Sequence, residues 1–239
     1  MKTLIKRALF HVRRHPTFIL HKYLSADGSF DYERYRKVQT EGNHQKLGNV
    51  WVVEDNIAFL ANYLRRLSPK FGICHGTRRG KEQEWFRTYL GCEVIGTEIS
   101  DTAAQFPNTI QWDFHDVKPE WLGAVDFIYS NSFDHSYDPG KCLTAWMSCL
   151  RPGGVCIIEH SNMHDAMGAS ELDPFGASIH LMPYLITTWA RGKYAVREIL
   201  DAPNDAAVRP HLEEQRYLKF IVIENWPDAT VAVRDSNLL

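Results

Sequence analysis

The sequence lacks long apolar runs, paired-cysteine motifs, internal repeats and any strong imbalance of charge. Its 27 Lys and Arg nearly balance its 29 Asp and Glu, for a formal net charge of −2. That excludes a polycation held to nucleic acid by bulk charge, and no nucleic-acid partner is expected. Uninterrupted apolar stretches are far too short to span a bilayer. The cysteines, Cys74, Cys92, Cys142, Cys149 and Cys156, are odd in number and form no C-x-x-C pair. In their apolar surroundings they read as reduced core thiols, and with no secretory signal visible a cytoplasmic protein is expected. Metal chemistry has little to stand on. His160 and His164 are spaced by four, but His160-Ser-Asn-Met-His164 follows a strand and lacks the H-E-x-x-H pattern, so no metal is expected.

What the sequence does contain is a stretch from Lys70 to Ser100 that reads as strand, tight turn, helix and second strand. Phe71 to Cys74 are apolar or small, as in a strand buried on both faces. Gly76 and Gly80 frame a turn. Trp85, Phe86, Tyr89 and Leu90 give the following helix one apolar face, and Gly91 sits at its C-cap. Val94 to Thr97 form the next strand, with Glu98 at its carboxyl end. Ligands of parallel sheets bind at those ends, beside the first turn. A carboxylate 22 residues after Gly76 is placed to accept two hydrogen bonds from a ribose diol. The layout is that of a nucleoside site.

Around this stretch the chain alternates. Residues 1–24 hold six Lys or Arg, three His and no acid, and read as helix interrupted by Pro16. Such a basic arm either touches an anionic or membrane surface weakly or packs as a solvated first helix. Helices are expected over 31–48 and, from the apolar period 53, 57, 60, 61, 64 and 67, up to Ser68-Pro69. After Glu98 come a short helix over 101–105, a strand Thr109–Trp112, a strand Ala124–Tyr129, a helix opened by Asp138-Pro139, and a strand Val155–Glu159. Strands alternating with helices through short connections argue for an open parallel sheet covered on both faces. Residues 161–192 read as an insertion with an apolar helix near 182–190. Tyr194–Leu200 and Tyr217–Glu224 are two more strands with no helix between them, hence antiparallel to each other.

In order and spacing these features resemble the class I S-adenosylmethionine-dependent methyltransferases, over roughly Lys70 to His160 and the closing pair of strands. Gly76-Thr77-Arg78-Arg79-Gly80 is similar to the family's glycine loop, and Glu98 to its ribose-binding acid, followed by Ile99. Asp113-Phe114 resembles the pair flanking the adenine, although Asp113 could also cap a turn and Phe114 could be core. Asn131-Ser132-Phe133 resembles the loop lining the methionine and sulfonium end, and Leu150-Arg-Pro-Gly-Gly-Val155 the family's lead-in to the fifth strand. Two positions depart. Cys74 stands where the family has an acid, and Arg78 where it has the loop's middle glycine. A side chain at Arg78 gives up some freedom at positive φ; Arg78 or Arg79 either meets the methionine carboxylate or is solvated.

The resemblance implies an α/β, doubly wound, Rossmann-like sheet of seven strands, mostly parallel with an antiparallel final strand, plus N-terminal helices. Residues 1–68 would form a helical cap, 69–239 the cofactor domain, and 161–192 an insertion over the acceptor site. It implies S-adenosylmethionine as cofactor and a small-molecule or saccharide-precursor acceptor. His135 and His160, at strand ends, are candidate general bases or shapers of the pocket. Two other readings stay open: a non-catalytic cofactor-binding scaffold, which the altered loop favours, and an NAD-dependent oxidoreductase. The latter needs glycines at 76, 78 and 81, where Arg78 and Lys81 obstruct the pyrophosphate.

Overall fold

The computed structural model describes residues 16–205 and 217–226. The first fifteen residues of the basic arm, the tip of the loop between the last two strands, and the tail lie outside them. The elements are β1 (Phe18–Leu20), α1 (Tyr32–Gln45), α2 (Glu54–Leu64), β2 (Phe71–His75), α3 (Lys81–Leu90), β3 (Glu93–Glu98), β4 (Thr109–Gln111), β5 (Val125–Ser130), α4 (Pro139–Cys149), β6 (Leu150–Ser161), β7 (Phe175–Ala177), α5 (Met182–Ala190), β8 (Tyr194–Asp201) and β9 (Leu218–Asn225).

Seven strands form one sheet in the order β4-β3-β2-β5-β6-β9-β8. The pairs β2–β3, β2–β5, β3–β4 and β5–β6 are parallel. Strand β9 runs antiparallel to both of its neighbours, so it alone opposes the rest. The Rossmann-like sheet expected from the sequence is therefore present, with its reversed final strand. The chain turns back between β2 and β5, where strand order reverses, and a parallel sheet opens its ligand crevice there.

The two-residue period of the strands divides the core into two layers. Phe127, Tyr129, Val155, Ile157, Phe220 and Val222 meet α2 and α3 on one face. Ile128, Cys156, Ile158, Ile221 and Ile223 meet α4 and α5 on the other. Both layers contain residues with no exposed surface, as expected of a sheet covered on both sides. Helix α4 starts where the sequence placed it: Asp138 accepts from the Lys141 amide at 2.9 Å and Pro139 occupies the first turn.

Two elements differ from the sequence reading. The described part of residues 1–24 is not helical; Phe18–Leu20 pairs antiparallel with Phe175–Ala177 as a separate two-stranded ribbon. A short apolar run carries no period that separates strand from helix, and the partner is more than 150 residues away. Strand β6 is longer than Val155–Glu159 at both ends, because β9 pairs with it through Ser161 and β5 pairs with it at Leu150.

Candidate functional site

The bend after β2 is tight and committed. Gly76 has φ 74°, Arg78 φ 39° and Gly80 φ 70°. A Cβ on Gly76 would stand 2.6 Å from the Ser132 side chain, so the loops after β2 and β5 touch here. Arg78 tolerates a left-handed backbone that L-residues avoid. Its amide is used in return: Arg78 N donates to Glu98 Oε2 at 3.1 Å, while Ser100 N donates to Glu98 Oε1 at 3.0 Å. Glu98 thus faces the bend from the end of β3 and is only 6% exposed. Burial pushes its carboxyl above the ordinary value, and the two amide donors pull it back.

Two adjoining chambers open from this point. The inner one encloses about 520 Å³, partly open to solvent, between Glu98, Ile99, Asp113, Phe114 and the underside of α1. The outer one, about 930 Å³, is walled by Thr77, Arg78, Glu82, Asn131, Ser132, Glu159 and the segment around Met163 to Asp173. Lys46, Gly76, Arg78, Ser132 and His135 border both.

Helix α1 roofs the inner chamber. Tyr32 Oη donates to Asp113 Oδ2 at 2.9 Å, and Thr102 Oγ1 donates to Asn43 Oδ1 at 2.9 Å. Tyr35 Oη donates to the His135 carbonyl at 3.1 Å. From above, Arg34 pairs with Glu171 and Gln39 Nε2 donates to the Leu172 carbonyl at 2.8 Å. Asp113 also holds His115, through the His115 amide at 2.9 Å and Nδ1 at 2.7 Å, and its carboxyl lies below the ordinary range. Burial acts against this, and the hydrogen bonds from His115 and Tyr32 outweigh it.

The outer chamber carries buried ionisable groups that the sequence reading passed over. Burial raises the Glu82 carboxyl to about 8 and that of Glu159 to about 7, the latter despite a hydrogen bond from Tyr129 Oη at 2.7 Å. Thr77 Oγ1, Arg78 Nε and Glu82 Oε2 are buried and find no hydrogen-bond partner among the described residues. They sit beside the N-terminus of α3, which favours anions. A guanidinium and a helix N-terminus suit a carboxylate, and a neighbouring carboxyl suits an ammonium. The chambers therefore fit a nucleoside joined to an amino acid.

Of the residues expected from sequence, Gly76, Thr77, Arg78, Glu98, Ile99, Asp113, Phe114, Asn131, Ser132 and His135 come together along these chambers. Gly80 caps α3 behind the bend, without lining either chamber. Phe133 does not face them: it is 3% exposed and packs on Trp146, Phe175 and Trp189. The tight turn after β5 sends Ser132 and His135 outward and Phe133 into the core. His160 also points away. On β6, Glu159 and Ser161 line the outer chamber, so alternation turns His160 to the other side, against His164 and Tyr217. That same alternation, read from a longer β6, was the signal for Glu159; Glu82, in the first turn of α3, gave none beyond its position.

The comparisons with known proteins agree with this geometry. Residues 73–158 match the family model for a methyltransferase domain. No curated protein matches the chain. Among solved structures, the Burkholderia thailandensis 1,6-didemethyltoxoflavin-N1-methyltransferase bound to 1,6-didemethyltoxoflavin and S-adenosylhomocysteine is 14% identical, with a TM-score of 0.60 over 84% of this chain and 92% of that one. The plantazolicin methyltransferase BpumL, with a triazolic desmethylPZN analogue and S-adenosylhomocysteine, is 12% identical, with a TM-score of 0.57 over 81% and 96%. The [4+2]-cyclase SpnF is 10% identical, with a TM-score of 0.53 over 71% and 80%. At such identities the likeness is one of fold, and it is the fold of the class I methyltransferases.

Proposed function

We propose that this chain, a methyltransferase-domain protein of the class I S-adenosylmethionine-dependent fold, transfers a methyl group from S-adenosylmethionine to a small-molecule acceptor, a class that includes saccharide precursors. The observation that carries the reading is the position of Glu98: a buried carboxylate at the end of β3, tied to the Arg78 amide at 3.1 Å, on the wall of a chamber that also holds Asp113 and Phe114. Each Glu98 oxygen is used once by an amide and keeps a lone pair for a ribose hydroxyl.

The cofactor supplies an electrophilic methyl group on a sulfonium. The protein's part is alignment and exclusion of water. Arg78 and the start of α3 take the methionine carboxylate, and Glu82 the ammonium. The inner chamber takes the adenosine under α1, closed by Tyr32 and Asn43. Ser132 and His135, where the chambers meet, border the reacting carbon, and the outer chamber takes the acceptor beneath 46–51 and 163–173. In this reading the described part of the 1–68 cap, residues 16–68, and residues 161–192 roof the acceptor site. Isothermal titration against S-adenosylmethionine, S-adenosylhomocysteine and NAD tests it. Binding of the sulfur nucleosides but not NAD is expected; binding of neither sulfur nucleoside overturns it.

A non-methylating use of the same scaffold is the second reading. It draws on the left-handed Arg78 in the cofactor bend and on the fold shared with a cyclase. Tight S-adenosylhomocysteine binding with no methyl transfer to any acceptor in a metabolite extract would favour it.

A further inference from the structure

Three side chains that sequence spacing never grouped meet on the wall of the outer chamber. Asp134 and His135 come from the turn after β5, and Asp173 from the segment before β7. A carboxylate oxygen of each acid and a ring nitrogen of the histidine all lie within 4.8 Å of one another. All three residues line the chamber.

The surrounding hydrogen bonds fix which His135 nitrogen is available. Gln39 Nε2 donates to the Leu172 carbonyl at 2.8 Å, so the Gln39 amide oxygen is the atom facing His135 Nδ1, at 2.8 Å. An amide oxygen only accepts, so Nδ1 carries the hydrogen. In the neutral ring Nε2 then holds a lone pair, and it faces Asp173 Oδ1 at 3.4 Å. A lone pair against a carboxylate oxygen repels unless a positive centre lies between them. Asp134 Oδ1 is buried and has no hydrogen-bond partner among the described residues. A cation serves all three.

Two of the three also have the outer support that metal ligands need. Gln39 orients His135. Ser170 Oγ donates to Asp173 Oδ2 at 3.2 Å, which leaves Oδ1 for the chamber. His164 Nδ1 accepts from the Ser161 amide at 3.0 Å, so its Nε2 carries the hydrogen and offers no lone pair; it lies 3.9 Å from Asp134 Oδ2 and is not a fourth ligand.

We propose that Asp134, His135 and Asp173 bind one divalent metal ion with open coordination positions facing the acceptor. Two carboxylates and one imidazole suit manganese: carboxylates favour magnesium, calcium and manganese, and the imidazole shifts the preference towards the transition metals. The acceptor class that follows is one with adjacent oxygens able to chelate, a vicinal diol or a hydroxy acid, whose hydroxyl loses its proton more readily on the metal. That second step rests on the methyltransferase reading; the metal site does not.

The test is a titration of Mn²⁺ into the full-length protein, followed by electron paramagnetic resonance, with S-adenosylhomocysteine calorimetry on the same preparations. One equivalent of Mn²⁺ per chain is expected. Asp173→Asn and Asp134→Asn should each weaken it about tenfold or more, while Glu120→Gln, exposed and outside the chamber, binds as the parent does. Circular dichroism shows whether each variant is folded, and Ser170→Ala, which removes only a support, gives an independent and smaller weakening. Absence of saturable binding, or binding that both aspartate variants leave unchanged, overturns the site and assigns His135 and Asp173 to a simple ion pair. Mn²⁺ bound without S-adenosylhomocysteine keeps the site and overturns the cofactor reading. S-adenosylhomocysteine bound without Mn²⁺ does the reverse.

Discussion

The Arg78 amide donates to the Glu98 carboxylate at 3.1 Å, joining the bend after β2 to the end of β3. This bond makes the left-handed conformation of Arg78 productive: the turn that costs backbone strain aims the amide at the acid, and the acid in turn is held facing the inner chamber.

Glu98→Gln should therefore weaken S-adenosylhomocysteine. A carboxamide offers one acceptor where the carboxylate offers two, so it turns an NH₂ towards either the Arg78 or the Ser100 amide. Hydrogen bonds to a charged group contribute about 1.5–3 kcal/mol, which corresponds to about tenfold or more in the dissociation constant. Calorimetry reads this directly, and an unchanged constant removes Glu98 from the ribose site.

Arg78→Gly separates stability from binding. A non-glycine residue at φ 39° carries about 1 kcal/mol of backbone strain that glycine lacks. The variant's melting temperature should equal or exceed the parent's. Its affinity for S-adenosylhomocysteine should fall about tenfold, through loss of a charge-assisted contact. A variant that melts lower and binds as before would place Arg78 in packing alone.

Much of this was legible in the sequence because parallel strands buried on both faces announce themselves as apolar runs, and because the spacing from Gly76 to Glu98 places both at one sheet edge. The bend and the acid at the end of β3 followed from those rules, and the reversed β9 from the lack of a helix between the last two strands. What escaped depended on partners distant in the chain. Phe18–Leu20 is a strand only because Phe175–Ala177 lies alongside it. His160 faces away from the cleft because β9 extends β6 to Ser161, which sets the alternation. Asp173 reaches His135 across a segment whose course no local signal fixes. The fold is written in local period; the wall of the outer chamber is written in long-range contacts.

Gly42 on α1 tests the roof. A Cβ there would lie 2.3 Å from Leu172 Cδ1, so Gly42→Ala must displace either that side chain or the helix. Hydrogen exchange of α1 amides should quicken and S-adenosylhomocysteine should bind more weakly. Adding Leu172→Ala removes the obstructing methyl and should restore both. Two substitutions that act additively, with no such rescue, would show that α1 does not close through this contact.

Glu82 gives the pH dependence its direction. Burial holds its folded-state pKa near 8, against an ordinary value of 4.5. Between those limits the folded chain binds a proton that the unfolded chain has released, so raising the pH favours unfolding. The slope is at most about 1.4 kcal/mol per pH unit for one carboxyl. Stability should fall as pH rises through this window and level off above about 8. Glu159, raised to about 7, adds to the fall over the lower part of the window. Glu82→Gln stays neutral throughout, so the gap between variant and parent melting temperatures should widen in the variant's favour as pH rises. Parallel melting curves across that range would mean that Glu82 is already ionised in the folded protein and that burial does not hold its proton.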